Sequence, residues 1–194
     1  MIIDNLITDR NAADLARKKA LAAKGWQNMT AAEKAEWLTA LKGAYNAEDL
    51  NRVGKAVNYL KADFDALPSE IKTYLFSIGV APDAFYNVPF AVPIDVNARE
   101  NWANSEMPTS EELAEYLDNV RTMRDAWELT SPLPASMQML TISGANNIEK
   151  ALVDAYNKRV EWTAEKKEWA DKAAQTFVYC GQSNCGMIWE EFEA

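Results

Sequence analysis

Apolar residues return every three or four positions along most of this chain, the spacing of one face of an α-helix. Behind Thr8-Asp9, the residues Ala12, Leu15, Ala16 and Ala22 mark a first helix. Arg17, Lys18, Lys19 and Lys24 fall late in that run, where cations suit the helix dipole, and Gly25 stops it. Thr30-Ala31-Ala32-Glu33 has the spacing of a capping box, in which Thr30 accepts from the backbone and Glu33 reaches back. It opens a short helix with Trp37, Leu38 and Leu41 on its apolar side and Gly43 as a left-handed terminator. Asn46, with Asp49 three residues on, caps the best-patterned helix of the N-terminal half, whose stripe is Leu50, Val53, Val57, Leu60 and Phe64. Pro68 interrupts the pattern, and Ser69 opens a further short helix through Ile71, Tyr74, Leu75 and Ile78.

The helical period then lapses. From Ala81 to Asn101, Pro82, Pro89 and Pro93 punctuate apolar and aromatic residues, which reads as an extended linker packed on a surface, since a free tether would carry fewer apolar side chains. Pro108-Thr109-Ser110-Glu111-Glu112 restores the period with a second capping box, leading into Leu113, Tyr116, Leu117, Val120, Met123 and Trp127. Ser131-Pro132-Leu133-Pro134 breaks that helix, and Ser143 or Gly144 starts the last one. Its stripe of Ile148, Leu152, Ala155, Arg159, Trp162, Lys166, Trp169 and Ala173 is a heptad seam, and about 30 residues of it extend ~45 Å. Arg159 and Lys166 on the seam either lie along a partner surface or pair with acids such as Glu161 and Glu165 of another copy, and the alternative is one long helix folded back on its own domain. After Thr176, Phe177-Val178-Tyr179-Cys180 and Cys185-Gly186-Met187-Ile188-Trp189 flank a polar turn, the signal of a β-hairpin.

The expectation is thus a mainly α protein: a helical subdomain over 1–80, a proline-punctuated linker over 81–105, a second helical subdomain with a long helix over 106–175, and a short hairpin tail over 176–194. A shift of 95 positions lays Asn51 on Asn146, Lys55 on Lys150 and Ala56 on Ala151, and keeps Val53 and Val57 apolar as Ile148 and Leu152, the mark of an internal repeat. Asn51 lies about 100° around its helix from Leu50. There its amide is placed to tie the turn carrying Gly43 and Tyr45, and Asn146 is its counterpart, each a fastener between a helix start and the preceding turn.

Composition narrows the chemistry. The 194 residues carry a net charge of -9, which repels phosphate backbones and anionic headgroups, so neither nucleic acid nor membrane is an expected partner. Met1 to Ile7 lacks the basic and long apolar regions of a secretory leader, and the expectation is a soluble protein made in the cytosol. There is no histidine, hence no imidazole base or zinc ligand; Cys180 and Cys185 alone cannot complete a zinc site, and a reducing cytosol favours them as free thiols. The many Asp and Glu residues fall where helix caps and solvated faces put them. No catalytic, cofactor-binding or metal-binding residue is nominated.

Several segments carry a family resemblance: Thr8-Asp9-Arg10, Gly43-Ala44-Tyr45-Asn46, Asp49-Leu50-Asn51-Arg52-Val53, Pro108-Thr109, Tyr116-Leu117-Asp118-Asn119-Val120, Ala145-Asn146-Asn147-Ile148-Glu149-Lys150 and Phe177-Val178-Tyr179-Cys180-Gly181. In this order they resemble a family of tail-associated structural proteins in phages and prophages of Gram-positive gut bacteria. The chain departs from the family pattern at Cys180-Gly181-Gln182 and Cys185-Gly186, where a serine and an acidic residue are usual. The resemblance implies a non-enzymatic virion component of the tail or baseplate, made in the host cytoplasm and present as a homo-oligomer among other tail proteins. Aromatic anchors dominate contacts of that kind, so Trp162, Trp169, Phe177, Tyr179 and Trp189 join Asn51 and Asn146 as structural or interface candidates. The competing expectations are a host-directed adaptor or assembly chaperone left out of the particle, and a polysaccharide-degrading tail enzyme, which needs two facing carboxylates in a cleft.

Overall fold

The computed structural model describes residues 1–43, 45–77 and 94–179. These are mainly helical, with no strand among the described residues. Five α-helices follow in order: α1 (Ala12–Lys24), α2 (Ala31–Ala35), α3 (Ala47–Ser77), α4 (Ser110–Ala126) and α5 (Ile142–Tyr179). Short 3-10 turns span Ile3–Asn5 and Trp26–Asn28, and α2 runs directly into a π-helical turn, Glu36–Ala40.

The helix starts are set locally. Asn11, three residues after Thr8, accepts from the Ala13 and Asp14 amides while Asp14 reaches back to the Asn11 amide, which fixes the start of α1. Thr30 with Glu33 and Thr109 with Glu112 form the two expected capping boxes. Asn46 accepts from the Glu48 and Asp49 amides at the head of α3, and Asp49 Oδ2 accepts from the Asn46 amide. Gly25 ends α1 with φ at 74°, a left-handed value that glycine adopts without penalty.

Gly43 behaves differently from the expected terminator: it is absent from the positive-φ residues, and a Cβ there would stand 2.1 Å from the Asp14 carbonyl oxygen. Its glycine is therefore a matter of close backbone approach. Pro68 likewise fails to end a helix. The two short helices expected on either side of it are one, α3, since a proline removes one intrahelical bond and the remaining turns carry the helix on.

The chain divides into two compact units, Met1–Ala66 with Ala91–Val160, and Leu67–Phe90 with Glu161–Ala194. In the first, the α3 stripe of Leu50, Val53, Val57, Leu60 and Phe64 is buried as expected, together with Tyr116, Leu117, Val120 and Met123 of α4 and Ile148, Leu152 and Ala155 of α5. Removing side chains of this size from water contributes roughly 1.5–3 kcal/mol each. Phe64 meets Trp127 edge to face at 5.2 Å, and Leu21, Met29 and Leu41 with Trp37 form a satellite cluster. Arg159 on the α5 seam pairs with Asp63 of α3 at 2.7–2.8 Å, within the chain. Ile94, Val96, Ala98 and Trp102 are buried in the stretch before α4, and residues 81–93 of the expected linker lie outside the described residues.

In the second unit, the Tyr74 hydroxyl donates to Asp171 Oδ1 at 2.5 Å and the Lys167 ammonium lies 5.4 Å from the Tyr74 ring centre. α5 continues through Tyr179, so Phe177 and Tyr179 are helical where the sequence begins its hairpin; the rest of that hairpin lies outside the described residues.

Candidate functional site

The polar centre of the first unit is assembled from four stretches distant in sequence. Glu149 sits in the third turn of α5 with no solvent exposure at all. Its carboxylate accepts from the Ile7 amide at 2.5 Å, from Arg10 Nη2 at 2.5 Å, and from Arg52 Nε and Nη2 at 3.0 and 2.7 Å. Asp49, also buried, accepts from Arg10 Nη2 at 2.7 Å and from Arg52 Nη2. The Arg10 Nη1 donates to the Ile7 carbonyl at 2.6 Å. Two guanidinium groups thus face two carboxylates and the set is neutral, the condition under which buried charge is tolerated.

Burial opposes the positive charge of Arg10 and Arg52, yet Glu149 and Asp49 outweigh it and raise both pKa values. The Tyr45 ring lies 5.4 Å from the Arg10 guanidinium, and its hydroxyl is 2.5 Å from that of Tyr116. Burial, reinforced by the charge of Glu149, holds the Tyr45 phenol well above its ordinary range; burial and the neighbouring Tyr45 do the same to Tyr116.

Asparagine amides tie two extended segments to this centre. Asn146 Oδ1 accepts from the Arg10 amide at 3.0 Å and its Nδ2 donates to the Arg10 carbonyl at 2.9 Å. Asn51 does the same for Trp102, at 2.6 and 2.9 Å, and Asn58 for Ala98, at 3.0 and 2.7 Å. Each amide reads one residue's backbone as a neighbouring strand would. The expected fasteners are therefore real, but each holds a remote segment and not its own preceding turn. The local donors were already answered: Asn46 caps α3, and Thr141 Oγ1 accepts from the Gly144 amide at the head of α5 at 3.0 Å.

Beside these ties opens a cleft of about 940 Å³. Leu15 and Lys18 of α1, Trp37 and Leu38 of the π-helical turn, Leu50 of α3 and Leu113 of α4 line it, and Arg10, Tyr45 and Trp102 belong to its wall as well. The beginnings of four helices reach it: Asn11 for α1, Asn46 and Ala47 for α3, Pro108 ahead of α4, and Thr141, Ile142 and Ser143 for α5. Carboxylates stand in the first turns of α1, α3 and α4, whereas the first turn of α5 has none. Arg10 Nε and Trp102 Nε1 are buried without an acceptor.

Asn51 and Asn146 belong to the first unit, and Trp162 is half-buried on the part of α5 assigned to the second. Trp169, Phe177 and Tyr179 lie on α5 with side chains outside the description, and Trp189 lies beyond the described residues. The sequence reading missed Arg10, Asp49, Arg52 and Glu149 as a set, having assigned acids to caps and solvated faces. Glu149 carried a signal: four residues after Ala145 and three before Leu152, it falls on the apolar face of α5.

Among the described residues no group of three or more Cys, Asp or Glu is disposed to hold a metal ion, and no helix is long and apolar enough to cross a membrane. No family model, no curated protein and no solved structure matches the chain.

Proposed function

We propose that the chain is a non-enzymatic structural module of a phage tail or baseplate, docking in multiple copies among other virion proteins. The observation that carries this reading is the engagement of Glu149: four donor atoms of three residues, Ile7, Arg10 and Arg52, converge on one buried carboxylate and give it the role of a fastener. The same holds for Asp49, whose two oxygens serve Arg10, Arg52 and the head of α3. A polysaccharide-cleaving site needs carboxylates open to a substrate. The resemblance to tail-associated proteins supports the placement, and exposed Trp26, Met107, Met139 and Val160 supply apolar contact points on the outside.

In the same reading the chain is a duplicated unit whose halves hold each other. Asn51 clamps Trp102, ahead of α4, and Asn146 clamps Arg10, ahead of α1. The shift that equates the asparagines also sets Glu149, which accepts from Ile7, against Gly54, which lies close to Arg99.

Mass spectrometry of purified particles tests the placement, with peptides of this chain expected at a fixed ratio to a known tail component. Absence from intact particles overturns it, and presence in infected cells combined with that absence favours the adaptor or assembly chaperone.

A further inference from the structure

The cleft is lined in good part by apolar side chains, with Leu38 39% exposed although it is a large aliphatic residue. The uncompensated charge on it is positive in a chain of net charge -9. Lys18 lines it without an ion pair among the described residues, and Lys42 is held at 2.9 Å by Asp9, which is not part of the lining. Glu106, the acid on the wall, is matched by Arg99 at 2.7 Å. The start of α5 adds the positive end of a 38-residue helix whose first turn has no carboxylate to offset it. The helical ladder is also irregular at this wall, where Trp37 and Leu38 lie in a π-helical turn, a feature frequent at functional sites. A ligand that fits has aromatic or aliphatic anchors interleaved with acids.

The chain contains such a segment. Residues 187–194 read Met187-Ile188-Trp189-Glu190-Glu191-Phe192-Glu193-Ala194, two aromatics among three acids, and no Lys or Arg follows Lys172. We propose that the cleft of one copy receives the 187–194 segment of a second copy, with Trp189 and Phe192 against the apolar wall and the glutamates toward Lys18 and the start of α5. A contact between two different surfaces repeats from copy to copy and builds a ring or a filament. This deepens the reading of a multi-copy module, and its test uses the purified full-length chain in solution, so it fails or succeeds independently of whether the chain is found in virions.

Two variants interrupt opposite sides of the contact: Leu38→Glu in the cleft, at an exposed position that tolerates a polar side chain, and Trp189→Ala with Phe192→Ala in the segment. In sedimentation velocity the unaltered chain is expected to associate with rising concentration and each variant to stay monomeric with unchanged circular dichroism. Mixed together, the two variants are expected to form a heterodimer, because one retains an intact cleft and the other an intact segment. A fluorescein-labelled peptide of residues 187–194 is expected to bind the segment variant, about fivefold more weakly when Lys18→Glu is added and unchanged when Lys19→Glu is added as a control of equal charge. An unaltered chain that stays monomeric, a mixture that fails to pair, or peptide binding equally sensitive to Lys19→Glu overturns the proposal. So does a labelled peptide that fails to bind.

Discussion

Arg10 Nη2 stands 2.5 Å from Glu149 Oε1 although 139 positions separate them in the chain and both side chains are closed to water. Each charge is tolerable only because of the other and of Asp49 and Arg52 beside them. Removing one acid leaves the buried Arg10 and the half-buried Arg52 facing a single carboxylate, at a cost of about 3–5 kcal/mol. Glu149→Gln is expected to lose most of that in urea unfolding. Replacement of Lys150, the exposed neighbour, is expected to stay within about 0.5 kcal/mol.

The paired phenols make the fold sensitive to alkali. Tyr45 and Tyr116 hold their protons above the ordinary value of 10.0, so the unfolded chain releases them first. The stability this represents is complete below that pH and falls as pH rises beyond it. Urea midpoints measured from about pH 8 to about pH 11 are expected to be flat at first and then decline. Tyr45→Phe removes one ionising group and is expected to make the decline shallower.

On the acid side, Glu33 offers a local contrast. Its bonds to Lys24 and to the Thr30 backbone hold its pKa at about 2 against an ordinary 4.5. Its contribution is therefore present above 4.5 and fades as pH falls toward 2. The stability difference between the unaltered chain and Glu33→Gln is expected to shrink across that interval, and a constant difference would contradict the assignment.

Gly54 lies in the interior of α3, where alanine ordinarily gains about 0.5–1 kcal/mol over glycine. Here a Cβ would stand 2.2 Å from the Arg99 carbonyl oxygen, backbone that has little room to retreat because Asn51 and Asn58 fasten it on either side. The sign is expected to reverse, with Gly54→Ala costing about 1–3 kcal/mol in thermal or urea melts.

The clamp on Trp102 has a signature that stability alone lacks. Its amide donates to Asn51 Oδ1, so hydrogen exchange at that one amide reports the tie directly. Asn51→Asp keeps an acceptor but loses the donor to the Trp102 carbonyl, whereas Asn51→Ala loses both. Faster exchange at Trp102 is expected for the alanine variant and little change for the aspartate one.

What the sequence made legible was local or periodic. The stripe from Leu50 to Phe64 and the caps at Thr30, Asn46 and Thr109 depend on residues within a turn or on a repeating spacing, and they stand as read. Asn51 and Asn146 were legible as fasteners and illegible as to what they fasten, because Trp102 and Arg10 come from segments with no period to place them. Pro68 and Gly43 misled for a shared reason: each has a strong local preference that helix continuity in one case and close backbone packing in the other overrode. Glu149 was visible only as an acid on an apolar face, and its meaning required Arg10 and Arg52, which no spacing connects to it.

The tie between Ile7 and Glu149 spans 142 positions, which turns a point of geometry into one of timing. A ribosome adding about 5–20 residues per second makes the first partner long before the second, an interval on the order of ten seconds. Throughout it the N-terminal segment and α3 are made while the second of the two acids that neutralise Arg10 and Arg52 does not yet exist. Closure of the charged centre is thus a late event of synthesis, since it waits for Glu149.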